Sequence, residues 1–291
     1  MAASGCKDVL ITGASSGIGA AVALEAARRG HRLALTARRA DRLEVLAQRA
    51  RALGVEAFCL PADLDDPATP KRLVDEVVGR FGGLDVLVNN AGFGLPELFG
   101  RADPAEIRRQ LEVNLVAPIL LARHALPHLL GRRGTILNVG SAISSVASPT
   151  LGVYGTTKAG LAYWNDALRR EVRHRGVSVC LIEPGPVGTE FFDALGTTPD
   201  GSGWNPLLDR PPEFVNAEVS VVARRIVRLI DRPKRRLSAL KRFVWPFRLV
   251  GGLFQIVPWL GDLALSEMAR RYDRPTVPGP VSSAEPGHSE G

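Results

Sequence analysis

Asp8-Val9-Leu10-Ile11-Thr12-Gly13-Ala14-Ser15-Ser16-Gly17-Ile18-Gly19 is the stretch on which the fold of this 291-residue chain turns. Its first five residues are a short apolar run ending at a glycine, the pattern of a parallel strand buried on both faces. Ala20 to Arg29 follows as an alanine-rich amphipathic helix. Glycines at a strand-to-helix turn let the backbone approach a diphosphate closely, and the helix start offers free N–H groups and a positive dipole end. A glycine cluster alone also fits a mere tight turn. Placed after a strand and opening a helix, this one predicts nucleotide binding by Gly13, Ser15, Ser16, Gly17, Ile18 and Gly19.

The same alternation continues outward. His31 to Ala37 reads as a second strand, Leu43 to Leu53 as a helix and Val55 to Leu60 as a strand. Pro70 to Phe81 is helical, Leu84 to Val88 is a strand, and a long helix runs from Pro104 to about Leu130. Thr135 to Val139 and Val177 to Ile182 are further strands, Asn216 to Ile230 a helix and Arg235 to Leu240 the last strand. Alternating strands and helices imply βαβ units, hence an α/β, Rossmann-type, doubly wound parallel sheet with helices on both faces. One catalytic domain is expected over residues 1–240, with a substrate lid at 194–216. An apolar and basic helical extension follows at 241–273, and 274–291 is expected to be a disordered Pro/Ser/Gly-rich tail. Ala37 and Arg38 close the second strand, where an acidic residue would read a ribose 2′-hydroxyl and an arginine a 2′-phosphate. Arg38 therefore points to NADP(H), against the blander reading of solvated arginines at a helix start.

Tyr154-Gly155-Thr156-Thr157-Lys158 begins another long helix. Positions four apart share a helical face, and a cation one turn from a phenol favours the phenolate and lowers its pKa. On its own the pair is also what an exposed ring and a solvated lysine would look like. Gly13, Asp63, Asn90, Ser141 and Pro184 all fall just past strand ends, the carboxyl edge where open α/β sheets bind ligands.

Together these residues resemble the short-chain dehydrogenase/reductase family, of the single-domain, NADP-preferring kind. The resemblance rests on T-G-A-S-S-G-I-G (Thr12 to Gly19), N-N-A-G (Asn89 to Gly92), Asn114, Ser141, Y-G-T-T-K (Tyr154 to Lys158) and P-G-P-V-G-T (Pro184 to Thr189). It implies that Tyr154 is the acid/base, that Lys158 lowers its pKa and bonds the nicotinamide ribose, and that Ser141 stabilises the reacting oxygen. Asn114 would hold the water of a proton relay to Lys158. Asp63 and Leu64 would meet the adenine, Asn90, Ala91 and Gly92 line the cofactor cleft, and Val187 and Thr189 hold the carboxamide, with Pro184 and Gly185 beside them. Some NADP-preferring members carry a basic residue just before the second motif glycine. Here that position is Ser16, so the preference rests on Arg38, with Arg39 as an aid.

Composition narrows the remainder. The chain is 45% hydrophobic and 23% charged, as globular domains are, and its net charge of +7 is concentrated late. Residues 224–248 hold ten basic side chains against one acid, Asp231. Arg242 to Met268 adds Phe243, Trp245, Leu249, Leu253, Phe254, Ile256 and Trp259, interrupted by Pro246, Gly251, Gly252 and Pro258. Those breaks disfavour a membrane-spanning helix. Basic residues beside aromatics suit a segment lying on an anionic membrane, peripheral association through 241–268. Packing on the chain's own domain or on a second subunit would satisfy the same apolar surface. No nucleic-acid motif accompanies the charge, so no nucleic-acid partner is expected. Cys6, Cys59 and Cys180 lack metal spacing and read as small core residues of a reducing compartment. His124 and His128 lack further convergent ligands, so no metal is expected. The N-terminus has no apolar signal region, which suggests a cytoplasmic protein, peripheral at most to the membrane.

The function expected is an NADP(H)-dependent oxidoreductase interconverting a carbonyl and an alcohol on a small lipophilic substrate, in a homo-oligomer. The alternative is a non-catalytic NADP(H)-binding sensor or scaffold, since the fold can outlive its chemistry.

Overall fold

Strands of four to six buried residues, paired in parallel, build the core of the computed structural model, which describes residues 5–184, 187, 218–238 and 241–272. The strands are β1 (Asp8–Thr12), β2 (Arg32–Ala37), β3 (Ala57–Pro61), β4 (Val86–Asn89), β5 (Thr135–Val139), β6 (Ser178–Glu183) and a shorter β7 (Arg236–Ser238). Among the described residues they form one parallel sheet in the order β3-β2-β1-β4-β5-β6-β7. The helices are α1 (Gly17–Arg28), α2 (Ala40–Arg51), α3 (Thr69–Phe81), α4 (Pro104–Leu111), α5 (Ala117–Arg132), α6 (Gly152–Val172), α7 (Val219–Asp231), α8 (Lys241–Ile256) and α9 (Pro258–Tyr272).

Side chains alternate across a strand, so β1 serves two cores at once. Val9 and Ile11 pack with Val22, Ala26, Leu43, Ile226 and Ile230 under α1, α2 and α7. Leu10 packs with Leu73, Val77, Leu121, Leu129 and Leu168 under α3, α5 and α6. Burial on both faces is why these strands read as unbroken apolar runs. Strand order reverses between β1 and β4, and the crevice at that reversal is where such sheets take ligands. At the opposite edge, the buried Asp8 carboxylate accepts from Arg32 Nε at 2.6 Å and Arg132 Nη1 at 2.8 Å, pinning the strand starts.

Three expectations need correction. α1 begins at Gly17, three residues before Ala20, so the glycine turn itself supplies the helix start. The expected continuous helix from Pro104 is interrupted by a π-helical turn at Glu112–Val116. Such a turn carries one extra residue per winding and re-aims the side chains it contains, here Asn114. Cys6 is exposed and Cys59 half-buried, so only Cys180 is a core residue; Cys6 precedes β1, and Cys59 sits on edge strand β3 with its thiol toward Glu44. The expected helical extension is present as two helices that break at Val257, ahead of Pro258, one of the interruptions the sequence offers. The expected lid at 194–216, Gly185, Thr189 and the tail at 274–291 lie outside the described residues.

Candidate active site

A cleft of about 290 Å³ runs along the carboxyl edge at the β1/β4 reversal. It brings together Gly13, Ser15, Ser16, Gly17, Ile18, Arg38, Asp63, Leu64, Asn90, Ala91, Gly92, Ser141, Tyr154, Lys158, Pro184 and Val187. Gly19 and Asn114 stand directly behind its wall: Gly19 packs on Gly13 and Asn114 on Gly92.

The phosphate end is built by two clasped loops. Thr12 Oγ1 accepts from the Asn90 and Ala91 amides, each at 3.0 Å, and donates to Val88 O. Asn90 Nδ2 returns the contact, donating to Thr12 O at 2.9 Å and Gly13 O at 3.2 Å. Gly13 has φ +64°, and a Cβ there would stand 2.8 Å from Ala91 Cα, so neither conformation nor space admits a side chain. A Cβ on Gly19 would overlap the Gly13 carbonyl oxygen. The turn thus lies flat against the loop after β4, with the start of α1 facing the cleft.

Arg38 lines the cleft, as expected, but Arg39 does more than aid it. Its Nη2 donates to Ser16 Oγ at 2.7 Å and to Ser15 Oγ at 3.1 Å. A guanidinium from the end of β2 therefore reaches the motif position where this chain has Ser16 in place of a basic residue. Cation and turn meet in space although 23 residues separate them. Asp63 Oδ1 accepts from the Asp65 amide at 3.2 Å, holding the turn in which Leu64 is buried at the cleft wall. The second strand ends in Ala37 and Arg38 with no acidic residue in the ribose-reading position, so the donor set fits a dinucleotide with a 2′-phosphate.

The reacting end is drier. Tyr154 and Lys158 are both buried on α6. Lys158 Nζ donates to Val139 O at 3.0 Å and lies 5.8 Å from the Tyr154 ring centroid. The expected lowering of the phenol's pKa is not what this arrangement gives. Burial pushes Tyr154 up to about 12, against a hydrogen bond with Ser141 that lowers it. Burial also pulls Lys158 down to about 8, because desolvation opposes its charge as well. Ser141 Oγ accepts from the Ile143 amide at 3.3 Å, which sets its hydroxyl at the head of the Ala142–Ser145 3-10 turn.

Asn114, re-aimed by the π turn, is consumed by the chain. Its Nδ2 donates to Phe93 O at 2.7 Å and Thr157 Oγ1 at 3.2 Å, and its Oδ1 accepts from Phe93 N at 2.9 Å. It thereby fastens the loop after β4 to α6 one residue before Lys158. A Cβ on Gly92 would lie 3.0 Å from Asn114 Oδ1 and 3.2 Å from Lys158 Nζ, so glycine keeps these two groups together. Beneath the site runs a buried amide chain that the sequence reading did not single out. Asn89 Nδ2 donates to Asn138 Oδ1 at 2.9 Å, and Asn138 Nδ2 to Asn165 Oδ1 at 3.0 Å, joining β4, β5 and α6. Phe93 and Arg109, stacked at 5.3 Å, also line the cleft unforeseen.

With this geometry in hand, the short chain dehydrogenase family matches residues 7–200. The chain belongs to the short-chain dehydrogenase family. It is 35% identical over 191 residues to a Staphylococcus aureus 3-oxoacyl-[acyl-carrier-protein] reductase FabG, covering 65% of this chain and 78% of that one. It is 37% identical over 195 residues to the Escherichia coli oxidoreductase YbbO, covering 66% and 70%. A Burkholderia cenocepacia short chain dehydrogenase solved with NADP superposes with a TM-score of 0.71 at 30% identity, covering 80% of this chain and 95% of that one. A Sphingobium yanoikuyae short-chain dehydrogenase solved with NADPH gives 0.72 at 30% identity, covering 86% and 93%. The chain is accordingly an oxidoreductase of the short-chain dehydrogenase family, with Ser141, Tyr154 and Lys158 brought into one cleft.

Proposed function

We propose that this oxidoreductase interconverts a carbonyl and an alcohol on a small lipophilic substrate, with Tyr154 giving the proton in reduction and taking it in oxidation. The carrying observation is that Ser141, Tyr154 and Lys158 converge at one end of a cleft whose other end is a phosphate cradle. NADP(H) is the cofactor, and when bound it supplies or accepts the hydride. Gly13 to Gly19 and Asn90 to Gly92 would hold its diphosphate side, Arg38 and Arg39 its 2′-phosphate, and Pro184 and Val187 the nicotinamide side. Ser141 Oγ donates to the substrate oxygen and stabilises charge developing on it. A phenol kept protonated by burial suits proton donation during reduction. Lys158 carries a charge below about pH 8 that favours the phenolate after the proton leaves. Asn114 holds the main-chain approach to Lys158 in place, where a water would complete a relay.

The test is a screen of ketones, aldehydes, 3-oxoacyl thioesters and secondary alcohols with NADP(H) and NAD(H). At least one lipophilic carbonyl should be reduced with NADPH, and with NADH at least tenfold less efficiently. Tight NADPH binding without turnover of any compound would favour a sensor or scaffold.

The same reading extends to the surface. Leu249, Val250, Leu253, Ile256, Trp259 and Leu263 on α8 and α9 are exposed, Ile256 by 81% and Trp259 by 62%. Arg224, Arg225 and Arg228 are exposed on α7. Exposed apolar side chains on α8 and α9, in a chain that also exposes cations on α7, suit peripheral contact with an anionic membrane, the source from which a lipophilic substrate would come. Self-association is proposed through Phe99 and Tyr163, both more than 80% exposed; sedimentation of the full chain would detect it.

A further inference from the structure

One contact ties the C-terminal extension to the reacting end of the cleft. Glu183, the last residue of β6, is 1% exposed and immediately precedes Pro184 in the cleft wall. Arg248 of α8 donates to its carboxylate at 2.8 Å, Arg236 lies at 3.5 Å, and Ser238 Oγ donates at 3.4 Å. A buried carboxylate is retained only with such partners. Burial raises the pKa of Glu183, and Arg248 is the largest influence holding it down.

Three residues on, and so on the same face of α8, Gly251 is buried against the other side of the site. A Cβ at Gly251 would overlap the Ser145 carbonyl oxygen, whereas one at Gly252 would meet nothing within 4 Å. Ser145 ends the short turn that begins just after Ser141. Within it, Ser144 Oγ donates to Ser141 O at 2.7 Å and Val146 N to Ile143 O at 3.1 Å. The turn that aims Ser141 is therefore closed by its own bonds on one side and backed by the α8 main chain on the other.

We infer that α8 is a brace for catalysis: Arg248 and Gly251 are positioning residues that seat the helix on Glu183 and Ser145 and so fix where Ser141 Oγ stands relative to Tyr154. This rests on the assignment of Ser141 to the reacting oxygen. Neither positioning residue touches substrate, and both act through the turn. Alanine is favoured over glycine inside a helix, so Gly251→Ala and Gly252→Ala gain equally in propensity. Any difference between them comes from the Ser145 contact.

The experiment compares full-length Gly251→Ala, Gly252→Ala, Arg248→Met and Arg248→Lys. The readouts are amide exchange of residues 143–146, NADPH Kd, and kcat and KM on a 3-oxoacyl N-acetylcysteamine thioester or the best carbonyl of the screen. Gly251→Ala should speed that exchange at least fivefold and lower kcat at least tenfold, with NADPH Kd within twofold of wild type. Gly252→Ala should change none of these. Arg248→Met should behave like Gly251→Ala, and Arg248→Lys should recover most of kcat. Unchanged exchange in Gly251→Ala, or faster exchange with kcat unchanged, overturns the brace. If Gly251→Ala does not fold, the Arg248 pair decides on the same readouts. Exchange needs no turnover: a wild type inactive on every carbonyl, yet with exchange sped only in Gly251→Ala and Arg248→Met, would keep the brace and retire the reductase reading.

Discussion

The parallel sheet and the C-terminal helix pair place apolar residues in opposite ways. In β1, every residue from Asp8 to Thr12 is buried, the apolar Val9, Leu10 and Ile11 in the two cores and the polar Asp8 and Thr12 at the strand ends with hydrogen-bond partners. On α8, Leu249, Val250, Leu253 and Ile256 face outward, while the side chain missing from Gly251 lets the helix main chain rest on Ser145. The sheet is held by side-chain volume on two faces. Among its described residues, the extension meets the domain through a backbone approach and an ion pair and leaves a row of apolar side chains exposed. A helix seated on the turn that follows Ser141 can influence the site without belonging to the sheet.

Breaking the sheet side should cost most. Gly92→Val would push a side chain between Asn114 Oδ1 and Lys158 Nζ. It should lower kcat/KM by about 100-fold or more, since mispositioning by 1 Å can cost that much; steady-state kinetics would show it. If Gly92→Val kept near-normal turnover, the clasp between Asn114 and Lys158 would not matter to the chemistry.

Next comes the cofactor end. Arg38→Asp removes a charge-assisted partner of the 2′-phosphate, an interaction worth about 1.5–3 kcal/mol, so NADPH Kd should rise roughly 10- to 100-fold. Arg39→Ala should show a loss of similar kind, because its guanidinium sits on Ser15 and Ser16. NADH binding should improve relative to NADPH in Arg38→Asp. Titration of protein fluorescence with each cofactor checks both, and a wild type that binds NADH as tightly as NADPH would remove the role from these arginines.

A pH dependence sharpens the same side. Lys158 is pulled down to about 8 and Tyr154 pushed up to about 12, so the ammonium is lost first as pH rises. The kcat/KM for reduction, which reports the free enzyme, should fall by up to tenfold per unit above about pH 8. A flat dependence to pH 10 would mean that Lys158 keeps its charge in the working protein. The stability consequence has a definite sign. The unfolded lysine, at 10.5, holds its proton more tightly than the folded one at about 8. Stability from this group therefore rises with pH between those values and is lost as pH falls through about 8.

The smallest effect is expected on the extension side. Each basic residue near an anionic bilayer adds roughly 1 kcal/mol, weakened by salt. The full chain should float with anionic liposomes at low salt and largely dissociate at high salt, and Ile256→Ser with Trp259→Ser should reduce flotation further. Protein that stays off liposomes at low salt would leave the exposed face to a protein partner.

The sequence carried the sheet because its signals are local and repeated: apolar runs, glycine turns and helical stretches each state their own conformation. Gly13, Asn90, Ser141, Tyr154 and Lys158 were legible for the same reason, each standing just past a strand or one turn into a helix. What was not legible depends on reach between elements. Arg39 meets Ser15 and Ser16 across the cleft, and its only sequence hint was the uncharged residue at Ser16 beside a doubled arginine. Asn138 and Asn165 look like ordinary strand and helix residues until Asn89 joins them. The phenol's pKa was misjudged because the spacing shows a cation one turn away but not that both groups are buried. Glu183 passed as the end of a strand, since nothing local says that Arg248, 65 residues later, returns to it.

The central claim is that the chemistry passes through Tyr154, and one preparation of Tyr154→Phe tests it. The variant keeps the ring that fills the site and removes only the hydroxyl. NADPH Kd should stay within about twofold of wild type, while kcat on the best carbonyl of the screen falls by about 10²–10⁴-fold, the range for a lost general acid. Turnover within tenfold of wild type at unchanged NADPH affinity would contradict the account.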